Sequence, residues 1–137
     1  MADLIEFELV SPERLLVSRA VEMVVVPGSE GDFGALPGHA PLISEIRPGV
    51  IAVFEAGKVQ ERIFVAGGFA EVTNERCTVL AERAIPLAEI DRLAADSELK
   101  NARDDLGAAK TDAERAAAEH EIEVAEAKLA ALDNPVY

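Results

Sequence analysis

Over roughly the first 84 residues, apolar positions come in short runs broken every six to twelve residues by glycine, proline or asparagine. Valine dominates these runs, and all five phenylalanines fall within them. β-Branched and aromatic residues in short, turn-bounded runs suit pleated strands. Strands are expected at 4–10, 21–26, 33–36, 42–46, 50–54, 59–65, 69–72 and 77–81. In the last of these, alternation places Cys77, Val79 and Ala81 on one face, and Thr78, Leu80 and Glu82 on the other. Many short strands at this spacing predict a β-sandwich or flattened barrel.

Beyond Pro86 the period changes. Ala95, Leu99, Ala102 and Leu106 step by four, three and four, as do Ala118, Ile122, Ala125 and Leu129, with Leu132 following. Each set forms one stripe along a helix. Gly107 suits the residue just past a helix end, Thr111 with Glu114 reads as a capping box, and Pro135 is a final breaker. The expected fold is therefore an amino-terminal flattened β-sandwich over 1–86, followed by a carboxy-terminal antiparallel two-helix hairpin over 87–137. Its seam is mostly alanine, which buries little apolar surface per residue, so the hairpin is expected to be marginally held.

Charge narrows the function classes. With 26 acidic residues against 13 basic ones, the chain carries −13 at pH 7. Such a surface repels a phosphate backbone, which excludes nucleic acid and anionic lipid as partners. The opening MADLIEFELV has no basic stretch leading into an apolar one, so no signal peptide is expected. Nor is any stretch apolar enough for a membrane span. The lone Cys77 has no partner for an internal disulfide, and a soluble protein of a reducing compartment is expected.

Four of seven prolines and five of nine glycines gather between Pro27 and Gly49. Such a stretch must be a set of tight, shaped turns. It is not a phosphate loop: Gly28, Gly31 and Gly34 lack the accompanying lysine and hydroxyl, and Glu30 and Asp32 put negative charge where phosphate would sit. Asp32, Phe33 and Gly34 match the kinase metal-binding triplet only by accident, since no catalytic loop accompanies them. His39 has no nucleophile motif to serve and reads as structural or interfacial. His120, between Glu119 and Glu121, reads as lying on the solvated side of its helix. Gly67 and Gly68 read as a tight turn or bulge. Two isolated histidines and one cysteine make no metal site. No catalytic constellation and no cofactor are expected.

The stretches ELVSPERLLVS, VVVPGSEGDFGALPGHAPLISEIRPGV and IFVAGGFAEVTNERCTVLAERAI, with the terminal hairpin, resemble the epsilon-subunit family of bacterial F-type ATP synthases. The mitochondrial counterpart is called delta. The resemblance covers nearly the whole chain, and the run GSEGDFGALPGHAPL is its most specific part. It implies a non-catalytic rotor subunit that couples the central gamma shaft to the c-subunit ring in proton-driven ATP synthesis, on the cytoplasmic face of the bacterial inner membrane. It implies that Ser29, Glu30, Gly31 and Asp32 meet the c ring, the two acids facing basic groups, and that His39, with Ser11 nearby, meets gamma. The family's hairpin either folds down on the sandwich or extends toward the alpha and beta subunits to block hydrolysis, and in inhibitory members its basic residues meet an acidic segment of beta. Some members bind ATP through an I/L-D-x-x-R-A motif; here Ile90 and Asp91 match it, but Ala94 stands where arginine belongs. Weak or absent ATP binding is expected. The alternative is a stand-alone β-sandwich adaptor or ligand-binding module, because fold alone does not fix function.

Overall fold

A computed structural model describes residues 3–134. Its strands are β1 (Ile5–Val10), β2 (Leu15–Val21), β3 (Met23–Gly28), β4 (Gly31–Ala35), β5 (Leu42–Ile46), β6 (Gly49–Glu55), β7 (Lys58–Val65), β8 (Gly68–Val72), β9 (Arg76–Ala81) and β10 (Ala84–Pro86). A 3-10 turn at Leu87–Glu89 leads to helices α1 (Arg92–Ala108) and α2 (Asp112–Asp133).

Period-two alternation decides which side of each strand is buried. In β1, Ile5, Phe7 and Leu9 are buried while Glu6 and Glu8 face out. The described strands form one ten-stranded sheet in the order β10-β7-β6-β3-β5-β8-β9-β1-β2, with β4 on β3. Strand β1 runs parallel to β9, and every other pairing is antiparallel. Yet Phe7, Val72 and Val79 share a single core cluster with Val24, Ile51 and Ile63, from strands several places away in that order. Only a sheet folded over on itself brings them together. The fold lies where β3 meets β5 through a single pairing, Gly28 with Ile46. The result is the expected flattened sandwich.

The sequence pattern misses the short β10 and, more consequentially, β2. Its run LLVSRAV is interrupted by Ser18 and Arg19, and the strand expected at 21–26 straddles a break at Glu22 that carries no glycine or proline. Arg19 lies opposite Phe7, on the inner side of β2. It reaches across the sandwich mouth to Glu55 (3.0 Å) and Glu61 (2.5 Å), which holds its pKa above the ordinary arginine value.

The helices follow their caps. The Asp91 carboxylate accepts the Leu93 N–H (3.0 Å), and the Thr111 hydroxyl accepts the Glu114 N–H (3.1 Å). Gly107 does not end α1 as expected; the helix continues through it, and Ala109 is the cap. Pro135 lies outside the described residues. Two ion pairs set one antiparallel register: Arg92 with Asp133, and Glu98 with Lys128 (2.8 Å), whose stem is buried in the alanine seam.

Helix α2 has a second buried stripe. His120, Val124, Ala127 and Ala131 are also spaced four, three and four, and this face meets the sandwich. Val124 packs with Phe64 and Ala66, with Val50, Ile90 and Ala127 alongside. Phe64 faces away from the core that takes Ile63 and Val65, so both faces of β7 are covered and the run IFVA is apolar throughout. His120 therefore stands at the margin of this face, its side chain 38% exposed, rather than on the fully solvated side. Its Nε2 meets the Glu82 carboxylate (3.0 Å), beside a bridge from Arg83 to Glu121 (2.9 Å). The hairpin is folded down on one outer face of the sandwich. No described helix is long and apolar enough to cross a membrane.

Candidate docking surface

The Pro/Gly-rich stretch resolves into two turns at opposite ends of β5. The first joins β3 to β4 through Ser29 and Glu30, closed by the pairing of Gly28 with Gly31. A Cβ on Gly28 would sit 2.7 Å from the Gly31 carbonyl oxygen, so only glycine lets the two legs approach this closely. Ser29 N–H donates to the Glu45 carbonyl (2.9 Å), and all four residues from Ser29 to Asp32 are exposed. The second turn is Leu36-Pro37-Gly38-His39, with Gly38 at φ 85° and His39 N–H donating to the Leu36 carbonyl (3.1 Å). Proline followed by a positive-φ glycine is the type II turn pattern. Gly38 N–H donates to Asn74 (2.8 Å), tying this turn to the β8–β9 connection, and His39 Nδ1 donates to the Ala40 carbonyl (2.6 Å).

The outer face that the hairpin leaves bare carries a continuous row. Phe69 pairs with Leu80, Leu80 with Val10, and Val10 with Leu15, crossing β8, β9, β1 and β2 in register. A register shift in the β1–β2 ladder, between Leu9 and Val10, brings Leu15 opposite Val10 on this side. Phe69 (53%), Leu80 (57%) and Leu15 (56%) are all more than half exposed, and Ile43, one row over, is 72% exposed. Around the row stand Glu8, Glu45 and Glu71, with Arg76 3.9 Å from Glu8. An apolar row rimmed by carboxylates fits a partner with an apolar ridge and basic flanks.

Ser11 and His39 are not in contact. Ser11 follows β1, whose Val10 lies beside Leu80, whereas His39 adjoins Asn74 at the other end of β9. At about 3.3 Å per residue they stand on the order of 20 Å apart, at the two ends of the layer carrying the row. Ser11 is nearly buried, its N–H and hydroxyl both donating to the Arg14 carbonyl. Ile90 packs in the cluster under α2 and Asp91 caps α1, so the two residues matching the nucleotide motif have structural tasks. The motif's arginine position, Ala94, faces solvent, and Arg92 pairs with Asp133. Cys77 is fully buried beside Val79, and burial pushes its thiol up to about 12. Among the described residues no group of three or more His, Cys, Asp or Glu is placed to hold a metal ion.

Sequence reasoning missed the exposed row as a unit, along with Arg47. The row's signal was present: Phe69 and Leu80 are apolar at positions alternating with the inward Ala70 and Val79. Their alignment across strands needed the register.

A family model for the ATP synthase delta/epsilon chain, beta-sandwich domain, matches residues 4–87. This chain belongs to that family. The ATP synthase epsilon chain of Rhodospirillum rubrum is 60% identical over 96% of this chain and 98% of its own length. That of Paramagnetospirillum magneticum is 56% identical over 96% and 99%. Among solved structures, a chain of the Euglena gracilis mitochondrial ATP synthase OSCP/F1/c-ring assembly superposes with a TM-score of 0.79 at 28% identity, covering 94% of this chain and 81% of that one. A chain of the Tetrahymena thermophila mitochondrial central stalk and c ring shares the fold alone, at 13% identity and a TM-score of 0.63. Within the epsilon family the chain is a non-catalytic subunit of the ATP synthase complex, a sandwich followed by two helices.

Proposed function

We propose that this epsilon-family chain works as a coupling piece of the rotor, gripping the gamma shaft with the bare outer face of its sandwich and meeting the c ring with the Ser29–Asp32 turn. The observation that carries this reading is the row from Phe69 through Leu80 and Val10 to Leu15. The hairpin covers one outer face of the sandwich, and the other presents large apolar side chains to water without cover from the described residues. Its aromatic member, Phe69, suits the anchoring role that buried aromatics play at interfaces. Ser11 and His39 bracket the same layer, so one extended contact with gamma reaches both. The glycines hold the ring-facing turn in a fixed shape, which lowers the ordering cost of docking. The unit that docks is 1–86, with 87–137 as a hairpin that reaches alpha and beta only when undocked. Through these partners the chain sits peripherally at the cytoplasmic face of the bacterial inner membrane.

Binding of purified gamma to the full-length chain tests this. Phe69→Ala and Leu80→Ala should each weaken binding by about 10-fold or more, as for hot-spot residues. Their melting temperatures should stay near that of the parent, because both side chains are already largely in water. Unchanged affinity in both variants would refute the assignment of this face.

A further inference from the structure

We propose that Arg47 is the positioning residue for the Ser29–Glu30 turn: it engages Asp32 within the turn and leaves Glu30 as the carboxylate presented to the partner. The inference rests on the ring-facing reading of that turn. Strand β4 hangs at an edge, paired only with β3, so apart from the single Ser29–Glu45 backbone bond the turn is supported from one side. Arg47, arriving from the β5–β6 connection, supplies the other side. Its backbone N–H donates to the Pro27 carbonyl (3.0 Å), Nη1 donates to the Gly28 carbonyl, and Nη2 to the Asp32 carboxylate. Gly28 ends β3 and Asp32 lies in β4, so one planar guanidinium spans both legs of the turn. Helix α2 lies across a shallow cleft from Arg47 and Pro48, through Ala127 and Ala131.

Two consequences separate this arrangement from a turn that simply carries two acids. Asp32, already paired, does not supply a second ionic contact, so the turn recognises one cationic or hydrogen-bond-donating group of the ring through Glu30. A lysine at position 47 cannot replace the arginine, because an ammonium is a point charge and does not span two acceptors in a fixed plane.

The test uses the full-length chain with gamma and detergent-solubilised c ring, reading ring affinity, gamma affinity, melting temperature and amide exchange at residues 29–32. Arg47→Gln should speed exchange in the turn by about 10-fold or more, by opening it locally. It should weaken ring binding by about 3–10-fold, the loss of one charge-assisted contact, and leave gamma affinity unchanged. Arg47→Lys should recover less than half of either effect. Asp32→Asn should reproduce the Arg47→Gln effects in part, since Arg47 keeps its bond to the Gly28 carbonyl, and the double variant should be no worse than Arg47→Gln alone, because that variant already lacks the Asp32 contact. If Arg47→Gln lowers the melting temperature, Asp32→Asn decides on the same criteria. Unchanged exchange and ring affinity, full rescue by lysine, or additive losses would overturn the proposal. Faster exchange in Arg47→Gln, with ring affinity indifferent both to it and to Glu30→Gln, would uphold the brace and overturn the ring-facing reading instead.

Discussion

The thiol of Cys77 has no water to ionise into. It lies between the two layers of the sandwich, fully covered, and burial pushes it up to about 12. In the unfolded chain a thiol loses its proton near its ordinary value, about 8.5. The folded state therefore keeps a proton that the unfolded state gives up as pH rises. Stability from this group is fully present below about pH 8.5 and declines above it, by about 1.4 kcal/mol per pH unit until the folded thiol itself titrates. Cys77→Ala should flatten the decline in denaturant midpoint between about pH 9 and 11. At pH 8 a thiol reagent should leave the native protein unmodified and react at once in denaturant. Rapid modification of the native chain would mean that the β8–β9 region opens without global unfolding.

Helix α2 is an element with two jobs, and its sequence shows only one of them plainly. The stripe through Ala118, Ile122 and Ala125 pairs it with α1, while Val124 docks it on Phe64 and Ala66. Most of the remaining contacts are alanines and partly exposed ion pairs, which add little. Val124→Ala should therefore loosen docking by about 1–3 kcal/mol, the loss of two methyl-sized groups plus a small cavity, without unfolding the sandwich. Amide exchange should rise throughout α2 and stay slow in β1, β8 and β9; a uniform rise would show that the helices and sandwich unfold as one unit. The strands, the helices and the Thr111 cap were legible because period and capping are local properties of the sequence. The docking face was not, because His120 at its start is polar and flanked by acids, and its partner Glu82 is 38 residues away. Strand β2 was hidden for a related reason. Arg19 breaks its apolar alternation, and only the carboxylates of β6 and β7 explain an arginine on the inner side. Gly107 misled because glycine tolerates a helix interior near its end at about 1 kcal/mol. Of the docking surface, the two turns were visible in their prolines and glycines, while the exposed row existed only in the pairing of strands distant in sequence.

At the scale of the molecule, charge opposes any journey of the hairpin toward an acidic partner. From Thr111 to Asp133 the chain has seven acids and two basic residues, and Glu119, Glu123 and Glu126 are exposed. One of the two cations, Lys128, is buried against Glu98, and the other, Arg115, pairs with Asp112. Like charges set against each other across an interface cost up to several kcal/mol. The native chain should accordingly be a weak inhibitor of ATP hydrolysis by the catalytic head. Charge reversal of Glu119, Glu123 and Glu126 to lysine should strengthen inhibition, most at low salt, where screening is least. Strong inhibition by the native chain that disappears on removing residues 88–137 would contradict this.

Strand β1 is made first and buried late. It lies between β2 and β9, and its parallel partner begins at Arg76, about seventy residues downstream of Glu6. At about 5–20 residues per second, synthesis leaves Ile5, Phe7 and Leu9 without that neighbour for roughly 4–15 seconds. During that interval β1 can pair only with β2, as an apolar hairpin with an unpaired edge, even though β3–β6 and β5–β8 can already form. The parallel closure that gives the finished sandwich its shape thus makes the nascent chain a natural client for holding chaperones. The two helices, translated after all ten described strands, arrive when the face they cover has been completed.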